Sequence, residues 1–492
     1  MTIFLKKAAA AIAVSVISVF SASGMVNVRD FGAKGDGVTL DTKAINDAIA
    51  AAASQGGGMV LVPAGRYLVH SIHLASHIDL HLENGAVLVG AEVTAEGRYD
   101  LPEPGPVPQF QDFGHSHWEN SMIWGIGLDD VRISGFGMID GHSLGNGYRT
   151  EDLQDGLANK AIALKECTNV TLSDITIYHG GHFAILATGV DNILITNLTI
   201  DTNRDGIDID CCRNVRICDC LVNSPHDDGI VLKASYALGK FRDTENVVIN
   251  GCNLSGYDVG SVLNATYTTP VSIYVQMNWF TDRAYSAGRI KLGTETSGGF
   301  KNITVSNCSF DFCGGFFVES MDGGIVEDVV ATNLVMRYCT DSPIFIRLGE
   351  RMRSPEGTPV GAIRRVLVSD VDASFSHPSY NTIISGTPGH CIEDVTLRNI
   401  HLHSVGSLTP ADAIKDIPEC EAKYPDPWMF GETRDKILPF KGMMLRHVDG
   451  IDIDGLYFGF DRPDTRQLFW IRDVKGLEQR NVKSEGKNVR IK

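Results

Sequence analysis

A short unit of alternating apolar residues recurs along the chain and constrains its fold more than any other feature. Each copy begins with Asn or Asp, continues with an apolar residue, any residue, an apolar residue and a polar residue, and closes with Asn, Asp or Gly. Copies begin at Asn169, Asn192, Asn214, Asn246, Asn302 and Asp394. The first two steps are 23 and 22 residues long, as in a solenoid with one coil per repeat. A leucine-rich repeat has a similar period, but its Leu-x-x-Leu-x-Leu frame is absent. The pattern predicts an all-β fold, a single-stranded right-handed parallel β-helix.

The chain divides into a leader and one long domain. Residues 1–24 hold two lysines, then an apolar run and small residues, which is typical of a secretory signal peptide cleaved near residue 23 or 24. Residues 25–492 are predicted to form one β-helix domain, because a solenoid grows along a single axis. Within it, Asp41–Ser54 has its apolar residues on one face, which predicts a short N-terminal capping helix. The expected location is secreted or periplasmic.

Charge and cysteine content limit the partners. The formal net charge is −17, and loss of Lys6 and Lys7 with the leader makes it −19. A chain this acidic is not expected to bind nucleic acid or an anionic membrane, and we expect a monomer. The 11 cysteines are interpreted mainly as buried free thiols, with a Cys211–Cys220 disulfide left open. No cysteine pair has zinc-site spacing, and neither a metal nor a cofactor is expected.

Three carboxylates stand one repeat apart. Asp205 and the pair Asp227–Asp228 are separated by 22 residues, so they fall on adjacent coils about 4.8 Å apart. Neighbouring turn residues place them at strand edges, facing out. Further along, Arg289 and Lys291 alternate in a strand and point to the same side. Two cations beside three carboxylates favour a site that holds an anionic sugar and hydrolyses the adjacent bond.

These motifs follow one another in an order that resembles the polygalacturonases of glycoside hydrolase family 28. That family's series is Asn-Thr-Asp, Asp-Asp, Gly-His-Gly and Arg-Ile-Lys. This chain has Asn203-Arg204-Asp205, Asp227-Asp228 and Arg289-Ile290-Lys291. The resemblance also covers VNVRDFGAKGDG near the start and most of the mature chain. It implies a pectin-lyase-like β-helix and a polygalacturonase or rhamnogalacturonan hydrolase acting on pectic polysaccharide or oligogalacturonide.

The resemblance also implies roles for these residues. Asp227 becomes the general acid, while Asp205 and Asp228 hold and activate the water of an inverting mechanism. Crowded carboxylates raise one another's pKa, so one can stay protonated in mild acid. Residues expected to bind substrate are Asn203, His226, Asp258, Arg289 and Lys291.

The chain departs from the family at the third motif, where Gly256-Tyr257-Asp258-Val259-Gly260 has no histidine. Asp258 therefore takes a polar role in the subsite or caps a turn. His182, one period before Asp205, is a further candidate for substrate contact, whereas the other histidines are expected at the surface. Asp208 and Asp210 are expected to be structural or peripheral.

Other interpretations remain open at this stage. A calcium-dependent pectate lyase also uses a β-helix with acidic clusters. A non-catalytic carbohydrate-binding or adhesive β-helix is a third possibility, and a single Asp beside Gly or Pro is usually a turn residue. Segments 95–120, 234–245, 265–286, 349–362 and 405–440 break the repeat and are expected to be loops that shape a cleft.

Overall fold

A computed structural model describes residues 24–104, 109–111, 113–145, 156–269, 286–431 and 436–491. Short strands coil into three parallel sheets, which confirms the predicted parallel β-helix. The predicted signal peptide lies outside the described residues except for Gly24. Among the helices that are described, none is long and apolar enough to cross a membrane.

From the second coil to Asn253–Ser255, each coil contributes one short strand to each sheet. Sheet A, which carries the site described below, contains Ile72–His73, Ile123–Ile126, Lys160–Lys165, Phe183–Thr188, Asp205–Asp210, Ile230–Ala234, Ile290–Thr296, Phe316–Ser320, Ile344–Leu348, Thr382–Ser385 and the first residues of Phe440–Arg462 and Gln467–Ser484. Sheet B begins with Val26–Asn27, Gly58–Val62, Ile78–Leu82, Asp129–Gly135, Thr168–Ser173, Asp191–Thr196, Arg213–Cys218 and Thr244–Asn250. Sheet C begins with Asp36–Leu40, Gly65–Val69, Ala86–Gly90, Met138–Asp140, Thr176–Tyr178, Thr199–Asp201, Leu221–Asn223 and Asn253–Ser255.

The later coils have long strands that run from sheet B into sheet C. They are Phe300–Asp311, Ile325–Arg337, Ala362–Ser376, Ile392–Gly406, Phe440–Arg462 and Gln467–Ser484. A final antiparallel pairing joins Lys487–Asn488 to the last of them. The remaining elements are the α-helix Thr42–Ser54 and the 3₁₀ helices Val28–Phe31, Phe113–Ser116 and Pro427–Gly431.

The repeated asparagines form a hydrogen-bonded ladder at the corner that leads into sheet B. The Asn192 side chain donates to Asn169, Asn214 donates to Asn192, and the ladder continues through Asn246 to Asn302. All five have positive φ between 55° and 61°, a conformation that Asn tolerates better than most residues. The repeat is therefore a turn signal as much as a strand signal.

The register also explains the irregular spacing of later repeats. Val215 pairs directly with Val247, and Val247 pairs directly with Ile303. The steps of 32 and 56 residues are thus single coils with inserted loops. Because a long loop costs little more closure entropy than a short one, insertions of this size leave the coil intact.

Inward-facing side chains stack in columns and form the core. One column in sheet A runs through Ile207, Ile230 and Ile290, all fully buried. The described cysteines are free thiols, and nine of the 11 are buried. The capping helix packs Ile45, Ala48 and Ile49 into the same core. It begins at Thr42 with Asp41 as the N-cap residue, and the Asp41 carboxylate accepts from the backbone N–H groups of Lys34 and Gly35 rather than from the helix.

Candidate active site

The two predicted motifs lie together at the edge of sheet A. Asp205 is the first residue of its strand, and Asp227–Asp228 form the turn before the next strand. One oxygen of each of the three carboxylates lies within 4.8 Å of the others. The 22-residue spacing thus brings all three into one group, called here the triad.

Backbone hydrogen bonds hold the triad in the coil. Gly206 N–H donates to the Asp228 carbonyl at 3.0 Å, and Gly288 N–H donates to the Asp227 carbonyl at 2.8 Å. Asp228 N–H also donates to the Asp205 side chain at 3.2 Å. At Gly206 a Cβ would lie 2.4 Å from the Gly229 carbonyl oxygen, so only glycine allows the two turns to approach this closely.

The triad lies on the outer face of sheet A, but its three carboxylates are not equally exposed. Asp205 and Asp228 are each 2% exposed, whereas the Asp227 side chain keeps 22% of its surface. The outward direction that was predicted therefore does not make the first two residues accessible to solvent. Asp227 is the triad member open to a ligand.

Arg204, the middle residue of the first motif, binds Asp227. Its Nε donates to Asp227 Oδ2 at 3.1 Å, and its Nη2 donates to the same oxygen at shorter range. The motif's usual threonine could not make this ion pair. No role was predicted for Arg204 from the sequence, although its departure from the Asn-Thr-Asp pattern was a visible signal.

These contacts drive the pKa values of two neighbouring carboxyls apart. Burial, followed by the charge of Asp227, raises the pKa of Asp205 well above its usual range, although Lys233 opposes the shift. Burial alone would also raise the pKa of Asp227, but the Arg204 guanidinium outweighs it and holds that pKa well below its usual range. The two shifts favour Asp205 over Asp227 as the protonated carboxyl of the free protein, and the expected role of Asp227 as general acid stays a prediction.

The predicted substrate cations lie beneath the triad. Arg289 Nε donates to Asp228 at 2.5 Å, and Lys291 Nζ lies 3.2 Å from the other Asp228 oxygen. Their side chains are only 6% and 3% exposed. Both cations lie beside the triad carboxylates, and Tyr424 and Asp426 of a later segment contact them as well, so their expected contact with substrate stays a prediction. In this arrangement the two cations orient Asp228.

Three further predicted residues lie around the opening. His226 Nδ1 is 2.6 Å from Asn203 Oδ1, and both side chains are half-buried. Asp258 is half-buried as well, and its backbone bonds to Thr268 and Ser261. The Asp258 charge also acts on His226. Asp258 thus both shapes its loop and faces the opening, and its two expected roles stay predictions.

Lys233, a basic residue for which no role was predicted from the sequence, lies under Asp205. Lys233 Nζ is 3.1 Å from Asp208, 3.7 Å from Asp205 and 3.7 Å from Glu295, and it contacts His115 Nε2. Asp208 therefore lies fully buried against Lys233, which agrees with the structural alternative of its expected role and not with the peripheral one. Asp210, by contrast, is structural, since it accepts from the Ser235 N–H and hydroxyl. The alternation of Val231 and Lys233 in a buried strand was the available signal.

More buried charges extend this layer. Lys291 lies 3.8 Å from Glu319, and Arg351 lies 3.6 Å from Glu295. Burial, with added repulsion from Asp426 and Asp228, raises the pKa of Glu319 to about 7. We call the buried layer of charged residues the floor; it consists of Asp205, Asp228, Lys233, Arg289 and Lys291. We call the Arg204–Asp227 pair the rim.

His182 is buried rather than exposed, and His115 and His117 are buried as well. Its ring stacks on Phe183, and its Nε2 has no hydrogen-bond partner among the described residues. Burial, followed by the charges of Arg204 and His115, lowers the pKa of His182 well below its usual range. A neutral imidazole thus lies beside the rim. The expectation that these other histidines lie at the surface was wrong.

Triad oxygens are close enough together to surround a cation, as are His115, Asp205 and Asp208. Each triad carboxylate, however, already contacts a basic side chain: Asp205 contacts Lys233, Asp227 contacts Arg204, and Asp228 contacts Arg289 and Lys291. The negative charges of the triad are thus already paired with basic side chains of the chain itself.

Two family profiles match parts of the chain. One described as "Rhamnogalacturonase A/epimerase, pectate lyase-like" matches residues 25–95, and one described as "Right handed beta helix region" matches residues 119–280. The second match includes the triad. Both descriptions fit the coil observed here.

Curated relatives include a probable polygalacturonase from Vitis vinifera, 30% identical over 296 residues that make up 56% of this chain and 58% of that protein. An exo-poly-α-D-galacturonosidase from Dickeya chrysanthemi is 30% identical over 235 residues, 46% of this chain and 35% of that protein. The chain thus spans about a third to three-fifths of these relatives.

A solved structure shares the fold. The family 28 exopolygalacturonase of Yersinia enterocolitica superposes with a TM-score of 0.65 at 19% identity, covering 92% of this chain and 78% of that one. At this identity the likeness shows the fold alone. It confirms the predicted fold, and the polygalacturonases among the curated relatives agree with the resemblance predicted from the motifs.

Proposed function

We propose that this polygalacturonase-like chain is a glycoside hydrolase that cleaves α-linked galacturonic-acid-containing pectic polysaccharide outside the cytoplasm. The observation that best supports this proposal is the triad. Its three carboxylate oxygens lie within 4.8 Å of one another, and one of its residues, Asp227, is open to a ligand. Paired carboxyl groups with different protonation states are what glycoside hydrolysis requires. The names of the curated relatives support the same substrate class.

In the proposed reaction Asp227 protonates the leaving glycosidic oxygen, since it is the triad member that a polymer can reach. Asp228, oriented by Arg289 and Lys291, accepts a proton from the attacking water. Asp205 is hydrogen-bonded to the Asp228 N–H and helps to position that water. The oxocarbenium-like transition state then collapses to product without a covalent intermediate.

We further propose that the anomeric configuration is inverted. Inverting enzymes usually separate the two carboxyl groups by roughly 6.5–9.5 Å. Here one oxygen of each carboxylate lies within 4.8 Å of the others, which is shorter than that range, so inversion is proposed from the resemblance to family 28 and not from this distance. Proton NMR of the first-formed product tests the point: β-galacturonate should appear before α. Initial formation of the α-anomer would instead indicate a covalent intermediate.

The main experiment incubates purified protein with polygalacturonate, rhamnogalacturonan and short oligogalacturonides and sizes the products. We expect new reducing ends, saturated products and activity that persists in EDTA. Unsaturated products that require Ca²⁺ would instead indicate a lyase. Binding without any reducing ends, under conditions where the fold is intact, would indicate a carbohydrate-binding protein.

The extracellular location rests on the leader-like residues 1–24. Expression of the full chain followed by fractionation should find the protein outside the cytoplasm, with a new N-terminus near residue 24 or 25. A full-length chain retained in the cytoplasm would contradict this part of the proposal.

A further inference from the structure

The cation that a ligand meets first is Arg204. Its side chain is 16% exposed, against 6% for Arg289 and 3% for Lys291. The last two are already engaged by Asp228 beneath the opening. Since the chain is strongly acidic overall, a uronate approaching the triad needs a local cation, and Arg204 is the one at the rim.

Arg204 is also the group that keeps Asp227 charged. Two of its nitrogens donate to one Asp227 oxygen, a charge-assisted contact that favours the ionised carboxyl. An ionised Asp227 cannot protonate a leaving oxygen. The resting site therefore combines an acid in the wrong protonation state with a cation suited to the substrate's carboxylate.

The proton that Asp227 lacks is close by. An oxygen of Asp205 lies within 4.8 Å of an Asp227 oxygen, a separation that one water molecule spans. Asp205 is buried, and its acidic neighbours repel its ionised form. It therefore releases its proton readily only when the negative charge around it decreases. Among the described residues, charged or titratable groups that face Asp227 include Arg204, Arg289, Lys291, Asp205, Asp228, His182 and His226.

We propose that Arg204 binds the carboxylate of the uronate and thereby allows Asp227 to become the protonated general acid. When a uronate binds at the rim, Arg204 exchanges Asp227 for the substrate carboxylate, and one proton moves from Asp205 to Asp227. Asp205 becomes a carboxylate beside the water, and Asp227 becomes the proton donor. Charge and protons balance, and no covalent bond changes. The inference rests on the proposed hydrolysis and adds a requirement for an acidic sugar at this position.

The first test compares Arg204→Thr, which restores the family's residue, with wild type on oligogalacturonide and on its carboxyl-reduced counterpart. We expect catalytic efficiency on the uronate to fall about ten- to a hundredfold, from the loss of one charge-assisted contact. On the neutral substrate it should rise, because Asp227 is no longer held ionised. The basic limb of the kcat/KM profile should also move to higher pH, since it reports the acid of the free enzyme.

Arg213→Thr is the matched control, because it removes the same charge from a surface pair with Glu245 and should change neither substrate. Arg204→Lys should keep more of the activity on uronate than Arg204→Thr does, because Lys supplies the positive charge but not the two-pronged hydrogen bonding of the guanidinium. An equal loss on both substrates, with an unmoved pH profile, would make Arg204 a structural residue and overturn the inference.

A second test needs no turnover. Calorimetry with trigalacturonate should show that Asp227→Asn tightens binding about tenfold when Arg204 is present, because Arg204 is released to the ligand. In the Arg204→Thr background the same substitution should have much less effect. Equal effects in both backgrounds would overturn the exchange.

The two tests separate the proposals. A wild-type protein that hydrolyses uronate but lacks both effects refutes only the role of Arg204. A wild-type protein that neither cleaves nor binds oligogalacturonides refutes the proposed function, and the inference with it.

Discussion

The outer face of sheet A has two halves with the same geometry and opposite chemistry. One register column runs through Asp208, Val231 and Lys291 in the first half. It continues through Phe317, Phe345, Ile383, Met444 and Trp470 in the second. The first half carries the triad and floor, whereas the second packs against Ile417, Phe430 and Leu438 of segment 407–439.

Basic side chains are buried in both halves, but they meet different partners. In the first half Lys233, Arg289 and Lys291 contact carboxylates. In the second, Arg347 donates to the Gly386 and Cys420 carbonyls. Arg446 donates to the Pro418 carbonyl and also lies 3.2 Å from the partly exposed Glu419 carboxylate. Backbone carbonyls do not titrate between pH 3 and pH 8, whereas carboxylates can, so the second half has fewer pH-sensitive partners. The coil thus supplies equivalent positions, and the partner groups decide whether a position is a pH-sensitive site or an interior contact.

The largest effect expected in the charged half is on turnover. Asp227→Asn should lower kcat by about 10²–10⁴-fold, the usual contribution of a general acid, while the melting temperature stays close to that of wild type. Steady-state kinetics on polygalacturonate measures the change. Asp219→Asn is a suitable control, because this exposed residue has φ of 57° and Asn197 at the equivalent turn has φ of 54°. Normal turnover by Asp227→Asn would remove Asp227 from the mechanism.

In the second, apolar half of sheet A, the largest effect of a substitution is expected on the free energy of unfolding. Phe345 is fully buried, and its ring centroid lies 4.9 Å from that of Phe317. Phe345→Ala should cost about 3–5 kcal/mol of unfolding free energy, with little difference between pH 4 and pH 7. Denaturant unfolding measures it, and the exposed Phe136→Ala serves as control. A strongly pH-dependent loss would contradict the division into two halves.

Lys233→Met tests the floor in the same way. Asp205, Asp208 and Glu295 would lose their shared cation, at a cost of about 3–5 kcal/mol near neutral pH. The deficit should shrink toward pH 4 as the crowded carboxyls take up protons. Lys240→Met, which breaks only an exposed pair with Glu166, should cost less than about 1 kcal/mol. A deficit that does not change with pH would mean that packing, not charge, explains the loss.

The smallest effect expected is a gain. Because the pKa of Asp205 is raised by burial and by Asp227, the folded protein keeps a proton that the unfolded chain releases above pH 3.8. Folding stability then falls with rising pH between 3.8 and the folded pKa, at about 1.4 kcal/mol per pH unit. Asp205→Asn cannot titrate, so it should be more stable than wild type at pH 6 and not at pH 3. Equal melting temperatures at both pH values would argue against the raised pKa.

Much of the site's framework could be predicted from local patterns. The alternating apolar residues and the 22-residue spacing place Asp205 beside Asp227–Asp228, and the structure brings them together. The repeated asparagines mark the corners where the coil turns. Such features are determined locally, because each coil repeats the geometry of its neighbour.

The same patterns could not predict which residues are exposed or protonated. Exposure of Arg289 and Lys291 depends on Asp426 and Tyr424, more than a hundred positions away in the sequence. The protonation order depends on Arg204 binding Asp227 rather than another carboxylate. Glu295 and His115 likewise join Lys233 only through folding.

The sequence by itself therefore determined the coil, the corners and the convergence of three acidic residues, since short-range periodicity specifies them. Only the tertiary structure decided that Asp227 and Arg204 lie open while Asp205 and Asp228 lie beneath them. The physical reason is that burial and charge are summed over all neighbours within a few ångströms. In this fold those neighbours come from loops inserted at distant coils, which no local pattern places.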